Sequence, residues 1–558
     1  MYRTTAQILK GRHCQCSPTC HSSPSQAMKK RAGDGVSDDP GDPASCYVEL
    51  CDTASSNSSA HAKEAAPAHP FQAPSDHLAC SLWTLETVAI PVTYIYTGLL
   101  YSLPAAYIEY FPRTLGASDA QLSTIAVVRS LPWTFKVLFG IFPDSFPIYG
   151  LRFKPYLLLG CLTSAFFHLL LGVYSDLLSV PGFALLLLGA MVGIVMADVM
   201  SDALVANRVL RQLELYPGHV QSAVYMCRFV SEMVGFWVGA LVSNGSYWGV
   251  GLSMRQLFGL LAIVPLLTVI PCIWLMHEPR VTPTSVMSIK TQLAQLYVML
   301  QRRATWQPVS FLAFFNALLV HNSAWGNYLK VAFRFDAFQY GALSAVGASV
   351  TFTAILVYRY CIMGKIESPW QSLYFVTGLV VAAFSLLNVL LVLKVNETLG
   401  IAPFWFAVGD TAVVAFAKGF QYLPLAVIFV SVCPEDQEGV AFALLTGMTN
   451  VAHAFANTVS NMLLRLWPVE LDDLERGDFS GVWKLTVLTA AISLLPLCFV
   501  ARMMPRGRKD LERMKDELSP RAAQWVVAVY ALGVVWVVVL SLLAVVRPCS
   551  VLVGGRGC

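Results

Sequence analysis

Charge is what this sequence has least of. Only 13% of its 558 residues are Asp, Glu, Lys or Arg, where soluble domains carry about 25%. A chain so poor in charge cannot be an array of soluble domains. Its 56% hydrophobic content and mean hydropathy of +0.59 point to a polytopic membrane protein. A strong positive excess is also missing: a formal net charge of +4 excludes the dense basic surface that holds nucleic acid. The 14 cysteines have no paired spacing, which excludes a disulfide framework. H-E-x-x-H, G-x-S-x-G and P-loop patterns are absent, and the polar loops are too short for a catalytic domain. Neither an enzyme nor a bound cofactor is expected.

The start of the chain lacks the apolar core of a signal peptide. Residues 1–80 are rich in Ser, Pro, Ala, His and Asp without apolar periodicity, and read as a disordered cytoplasmic tail. No acid precedes Asp34, while Arg3, Lys10, Arg12 and Lys29 to Arg31 are basic, a faint likeness to an organellar transit peptide. "HCQCSPTCH" gathers Cys14, Cys16 and Cys20 between two histidines. That spacing matches no familiar zinc pattern, so no metal site is expected, and a solvated or acylated tail is the reading.

From Leu85 onward, apolar runs of about twenty residues recur, the length that crosses a bilayer as helix. Spans are expected at 86–108, 122–143, 155–174, 181–203, 219–243 and 255–276. After a polar segment they resume at 308–327, 340–363, 370–393, 403–432, 438–464 and 482–502, with a further run at 525–546. This gives an N-terminal half (81–276), a cytoplasmic linker (277–307), a C-terminal half (308–505), and a basic linker with an additional helix (506–558). Lys and Arg crowd alternate loops: Arg152 and Lys154; Arg208 and Arg211; Arg280, Lys290, Arg302 and Arg303; Arg359 and Lys365. Those loops and the N-terminus are therefore cytoplasmic. Asn244 in "NGS" and Asn396 in "NET" then face the far side as glycosylation sequons.

Two six-helix halves joined by a cytoplasmic loop is the plan of major-facilitator transporters, which bind substrate at the midplane between the halves. "GIFPDSFPIYGLRFKP", with Gly140, Asp144, Gly150, Arg152 and Lys154, resembles a degenerate form of that superfamily's loop signature. The stretches "RSLPWTFKVLFGIFPDSFPIYGLRFKPYL", "MADVMSDALVANR", "QSAVYMCRFVSEMVG" and "GDTAVVAFAKGFQYLPLAVIFVSVCPEDQEGVAFALLTGMTN" together resemble the folate-biopterin transporter family over most of residues 90 to 500. Pro143 and Asn207 depart from the family pattern, where a small residue and an acid are usual. The resemblance implies an all-α polytopic membrane protein of major-facilitator type, with 6+6 transmembrane helices and an extra C-terminal helix. It implies alternating-access symport of folates or pteridines with protons. The alternatives are a carrier of another small metabolite (nucleoside, sugar or S-adenosylmethionine) and a non-transporting solute receptor. A multi-pass location follows, in the plasma membrane by expectation, with an organellar membrane as the alternative.

Charges at bilayer depth need a partner or a job. Asp198 and Asp202, one helical turn apart near the end of span four, read as a cytoplasmic gate with Asp144, Arg152 and Arg208. Substrate or proton binding at Asp198 is the other reading. Mid-depth groups are the substrate-binding candidates: Arg129 and Lys136; Arg228 and Glu232; Asn316; Asp410 and Lys418; Asn450. Their bland reading is structural pairing between helices. A cationic surplus would draw the glutamate tail of a folate. A carboxylate would accept from the 2-amino and ring N–H of a pterin. Tyr94, Trp133 and Tyr422 would stack on the ring. Asp410, Glu232 and His453 are the proton-coupling candidates.

Overall fold

The computed structural model describes residues 82–553, except 116–118, 212–216, 244–250, 282–285, 336, 363–369, 435–436, 470 and 548–549. The Cys14, Cys16 and Cys20 cluster and the Asn244 sequon lie outside the described residues. Among those described, the backbone is helical with only two isolated bridges, Ile148 to Leu151 and Arg302 to Leu518. That is the expected result for apolar segments without water, because a helix satisfies its own N–H and C=O groups.

The first group of helices comprises α1 (Ala89–Ser102), α2 (Ala105–Thr114), α3 (Asp119–Thr134), α4 (Lys136–Ser145), α5 (Lys154–Val173), α6 (Val180–Arg211), α7 (Pro217–Ser243), α8 (Met254–Leu267) and α9 (Val269–Leu275). The second comprises α10 (Ile289–Gln301), α11 (Arg303–Ala317), α12 (Trp325–Phe333), α13 (Ala337–Val357), α14 (Trp370–Val392), α15 (Pro403–Val432), α16 (Glu438–Leu463) and α17 (Ser480–Leu494), followed by α18 (Pro520–Val546). Among the described residues, ten helical stretches are long and apolar enough to cross a membrane. Other expected spans are interrupted. Pro104 follows the end of α1, and Pro132 precedes the break at Phe135 that separates α3 from α4. Proline lacks the N–H of the helical ladder and crowds the preceding turn.

Small residues set the closest helix contacts. α5 meets α6 at Gly160 and Gly193, and α1 meets α7 at Gly98, Gly235 and Gly239, where an added Cβ would collide with the facing helix. One buried cluster draws mainly on 96–273 and another on 324–485. The largest cluster joins both groups. α7 packs on α13 and α15, while α4 and α6 pack on α16. The two groups close tightly at the end carrying the α4–α5 loop. There, a Cβ on Gly140 would stand 2.8 Å from Val440 Cα, and one on Gly439 would stand 2.7 Å from Ala203 Cβ.

The loop at that end is well tied. Tyr149 and Gly150 both have positive φ, making the tight reversal between Ile148 and Leu151. Glu278 accepts from three successive backbone N–H groups, of Arg152, Phe153 and Lys154, at 2.7–2.8 Å. It thereby satisfies the open start of α5. The sequon at Asn396 is corrected: its side chain is buried at 1% exposure and its amide donates to Ile401, leaving no free acceptor for a glycan.

Candidate functional site

Asp198 and Asp202 do not group with Arg152 at the loop end. α6 runs on to Arg211, two turns past its apolar stretch, so Asp198 lies about 20 Å from the helix end. There Lys136, first residue of α4, reaches both aspartates, at 2.6 Å from Asp198 and 3.1 Å from Asp202. Arg228 of α7 pairs with Asp198 at 2.7 Å and with Glu232, one turn on, at 3.0 Å. Tyr94 of α1 donates to Asp202 at 2.5 Å. The expected gate splits accordingly. Asp144 and Arg152 do pair at the loop end, while Asp198 and Asp202 belong to a buried network deep in the protein. The Arg208 side chain lies outside the described residues.

This network forms one wall of a cavity of about 510 Å³ between the two helix groups. Lys136, Asp202, Arg228 and Glu232 line that wall. Asn316, Lys418, Asn450 and His453 line the opposite one. Lys418 and His453 are exposed although they sit deep in the helical bundle, because they face the cavity. Among the described residues, no carboxylate lies within ion-pair distance of Lys418. Asn316 donates to Leu312 of its own helix. Asn450 reaches across to the Trp133 carbonyl, which the break at Phe135 leaves outside the helical ladder. The Trp133 ring covers both Lys136 and Arg228, at 5.1 and 5.5 Å from its centroid.

Two substrate-binding candidates lie off the cavity lining. The Arg129 guanidinium stacks 4.4 Å from the Tyr101 ring and donates to the Tyr101 carbonyl, so Tyr101 stands between it and the cavity. Asp410 accepts from Asn388 of α14 at 3.1 Å, and its other oxygen is shielded and has no hydrogen-bond partner. The expected cationic surplus is also corrected. Counting Asp198 and Asp202, three carboxylates face Lys136, Arg228 and Lys418 in and around the cavity.

Aromatic rings floor the cavity on the closed side. Tyr225 meets Tyr94 at 5.6 Å and Tyr422 at 4.9 Å, and Phe229 meets Tyr422 at 5.1 Å, all edge to face. Tyr94, Tyr225 and Phe229 come from the first group and Tyr422 from the second, so the floor must part for the cavity to open at that end. Sequence reasoning missed Tyr225 and Phe229 as floor, Gln421 and Thr449 as lining, and Asn457. Asn457 had a signal: with Asn450 and His453 it falls at i, i+3 and i+7, one face of α16. No cluster of metal-ligating side chains occurs among the described residues.

The fold resembles solved major-facilitator structures. A D-xylose-proton symporter superposes with TM-score 0.52 at 14% identity, over 75% of this chain and 98% of that one. A human organic anion transporter, MFSD10, superposes with TM-score 0.51 at 14% identity, over 75% and 99%. Among sequence relatives, the folate-biopterin transporter of Synechocystis sp. is 24% identical over 78% of this chain and 85% of its own length. The probable folate-biopterin transporter 2 of Arabidopsis thaliana is 23% identical over 78% and 86%. Folate transporter 1 of Plasmodium falciparum is 22% identical over 68% and 72%. The BT1 family model matches residues 99–522. The chain belongs to the BT1 family, the folate-biopterin transporters of the major facilitator superfamily, whose work is transport rather than catalysis.

Proposed function

We propose that this protein imports a folate- or pteridine-type metabolite together with protons, by alternating access around the central cavity. We count α1 to α9 as six spans and α11 to α17 as six more, with α18 as an additional one, and place the protein in the plasma membrane with the α4–α5 loop cytoplasmic. The observation that carries the reading is Lys418. It is a cavity-facing cation without a carboxylate at ion-pair distance among the described residues, opposite a wall where Arg228 and Glu232 are already matched. An incoming carboxylate finds its counter-charge at Lys418, while Glu232 offers acceptor oxygens to the donor edge of a pterin. A cavity of about 510 Å³ lies within the usual range of small-ligand sites, about 300–1,000 Å³. The names of the relatives support the same substrate class.

Asp410 stays the leading carrier of the coupling proton. Its shielded, unpartnered oxygen is a place where a proton satisfies the geometry, two turns from Lys418 on α15. Uptake of labelled folate and biopterin by cells that require them, at two external pH values, tests the whole reading. Wild type should accumulate label faster at the lower pH. Asp410→Asn should still bind and exchange but lose that pH dependence. Binding without accumulation by wild type would instead mark a receptor, and a steep pH response in Asp410→Asn would move the proton to Glu232 or His453.

A further inference from the structure

A second cavity, of about 860 Å³, lies away from the central one, between α11, α16 and α18. It exists because the facing surfaces are small. Ser310, Ala313 and Ala317 repeat along α11, and Gly533 interrupts the bulky face of α18. α18 leans instead on α3 and α16, with Gly533 against Val451 and Tyr530 reaching the Thr134 carbonyl. The slot left beside α11 is almost wholly apolar, so at bilayer depth it takes an acyl chain rather than water.

Three features say what the occupant is. The slot follows α18 from Trp525 to Trp536, about 16 Å at 1.5 Å per residue, which is half of a ~30 Å hydrocarbon core. It therefore spans one leaflet. At its shallow end, the indole N–H of Trp306, in the first turn of α11, is shielded from water and has no hydrogen-bond partner among the described residues. A buried indole ordinarily finds an acceptor. At the mouth, the chain segments that start α11 and α18 run side by side, bridged between Arg302 and Leu518. Arg302 and Arg521 are exposed there, as is Arg502, whose carbonyl accepts from Gln307 of α11, and none of the three forms an ion pair among the described residues. Basic clusters beside transmembrane helices attract anionic headgroups.

We propose that this slot holds an anionic glycerophospholipid of the adjoining leaflet. Its phosphate rests on Arg302, Arg502 and Arg521, an ester carbonyl accepts from Trp306, and one acyl chain runs between α11 and α18 to the level of Trp536. The lipid packs α18 against the transport helices without entering the central cavity.

The test is lipid retained by the full-length protein purified in mild detergent from membranes of mixed phospholipid, read by native mass spectrometry. Wild type should keep one anionic phospholipid in preference to phosphatidylcholine. Trp306→Phe keeps the ring and loses the N–H, so retention should weaken about fivefold, the effect of one hydrogen bond. Ala313→Trp should fill the slot and abolish retention. A triple change of Arg302, Arg502 and Arg521 to Gln should erase the preference for anionic lipid while leaving the fold in place. Retention by Ala313→Trp equal to wild type would overturn the proposal, as would indifference of the wild type to headgroup charge. Loss of bound lipid without change in the central site is separately readable, because substrate binding to Ala313→Trp should remain.

Discussion

Lys418 and Lys136 are two lysines at the same depth with opposite situations, one open to the cavity and the other buried. Lys418 faces the cavity without an ion-pair partner among the described residues, so Lys418→Gln should leave the protein stable and remove most uptake of an anionic substrate. Transport of the anion at wild-type rate would take Lys418 out of the site. Lys136 instead neutralises Asp198 and Asp202, both nearly fully buried. Lys136→Met should lower stability by about 3–5 kcal/mol, because uncompensated buried charge remains. Thermal melting in detergent checks it, and adding Asp202→Asn should restore part of the loss. The Arg228 and Glu232 pair was legible in the sequence, since one helical turn brings them together. The Lys136 and Asp198 pair was not. Spacing reports only a residue's own helix, and the end of an apolar run does not mark the end of a helix that continues to Arg211.

Prolines mark helix breaks unevenly here, and the neighbours decide which ones matter. Pro143 and Pro424 sit inside continuous helices, whereas Pro132 precedes a break. At that break Asn450 and Tyr530 take up the freed carbonyls of Trp133 and Thr134. Both partners are more than three hundred residues away, so the sequence alone could not show that the break is supported. The apolar spans were legible because bilayer thickness fixes their length. Their interruptions were not, because they depend on such remote acceptors. The α4 and α16 crossing gives a prediction for these elements. Gly140→Val should wedge the closed end apart, since even a Cβ there stands 2.8 Å from Val440 Cα. It should disfavour the present state by about 1.4 kcal/mol or more, tenfold in the ratio of the two states. Labelling of a cysteine placed at Asn457, which is exposed and lines the cavity, should slow by up to that factor in a background without other accessible cysteines. An unchanged labelling rate would show that the crossing is not part of the closure.

At the scale of the whole molecule, four mid-depth cations (Lys136, Arg228, Lys418 and Arg129) meet four carboxylates (Asp198, Asp202, Glu232 and Asp410) in and beside the central cavity. An empty carrier that turns this set from one face of the membrane to the other moves no net charge through the electric field. Membrane voltage then acts only on what the cargo adds, at about 2.3 kcal/mol per elementary charge per 100 mV. A monoanionic substrate travelling with one proton is electroneutral, so its uptake should be flat with voltage. A neutral pteridine travelling with one proton carries one positive charge inward, and its uptake should rise as the inside becomes negative. Currents from proteoliposomes on a solid-supported membrane distinguish the two, and a current for the monoanion equal to that for the neutral pteridine would refute the balance. The valence of the solute, set against a matched cavity, would decide whether this transporter is driven by voltage or by the pH gradient alone.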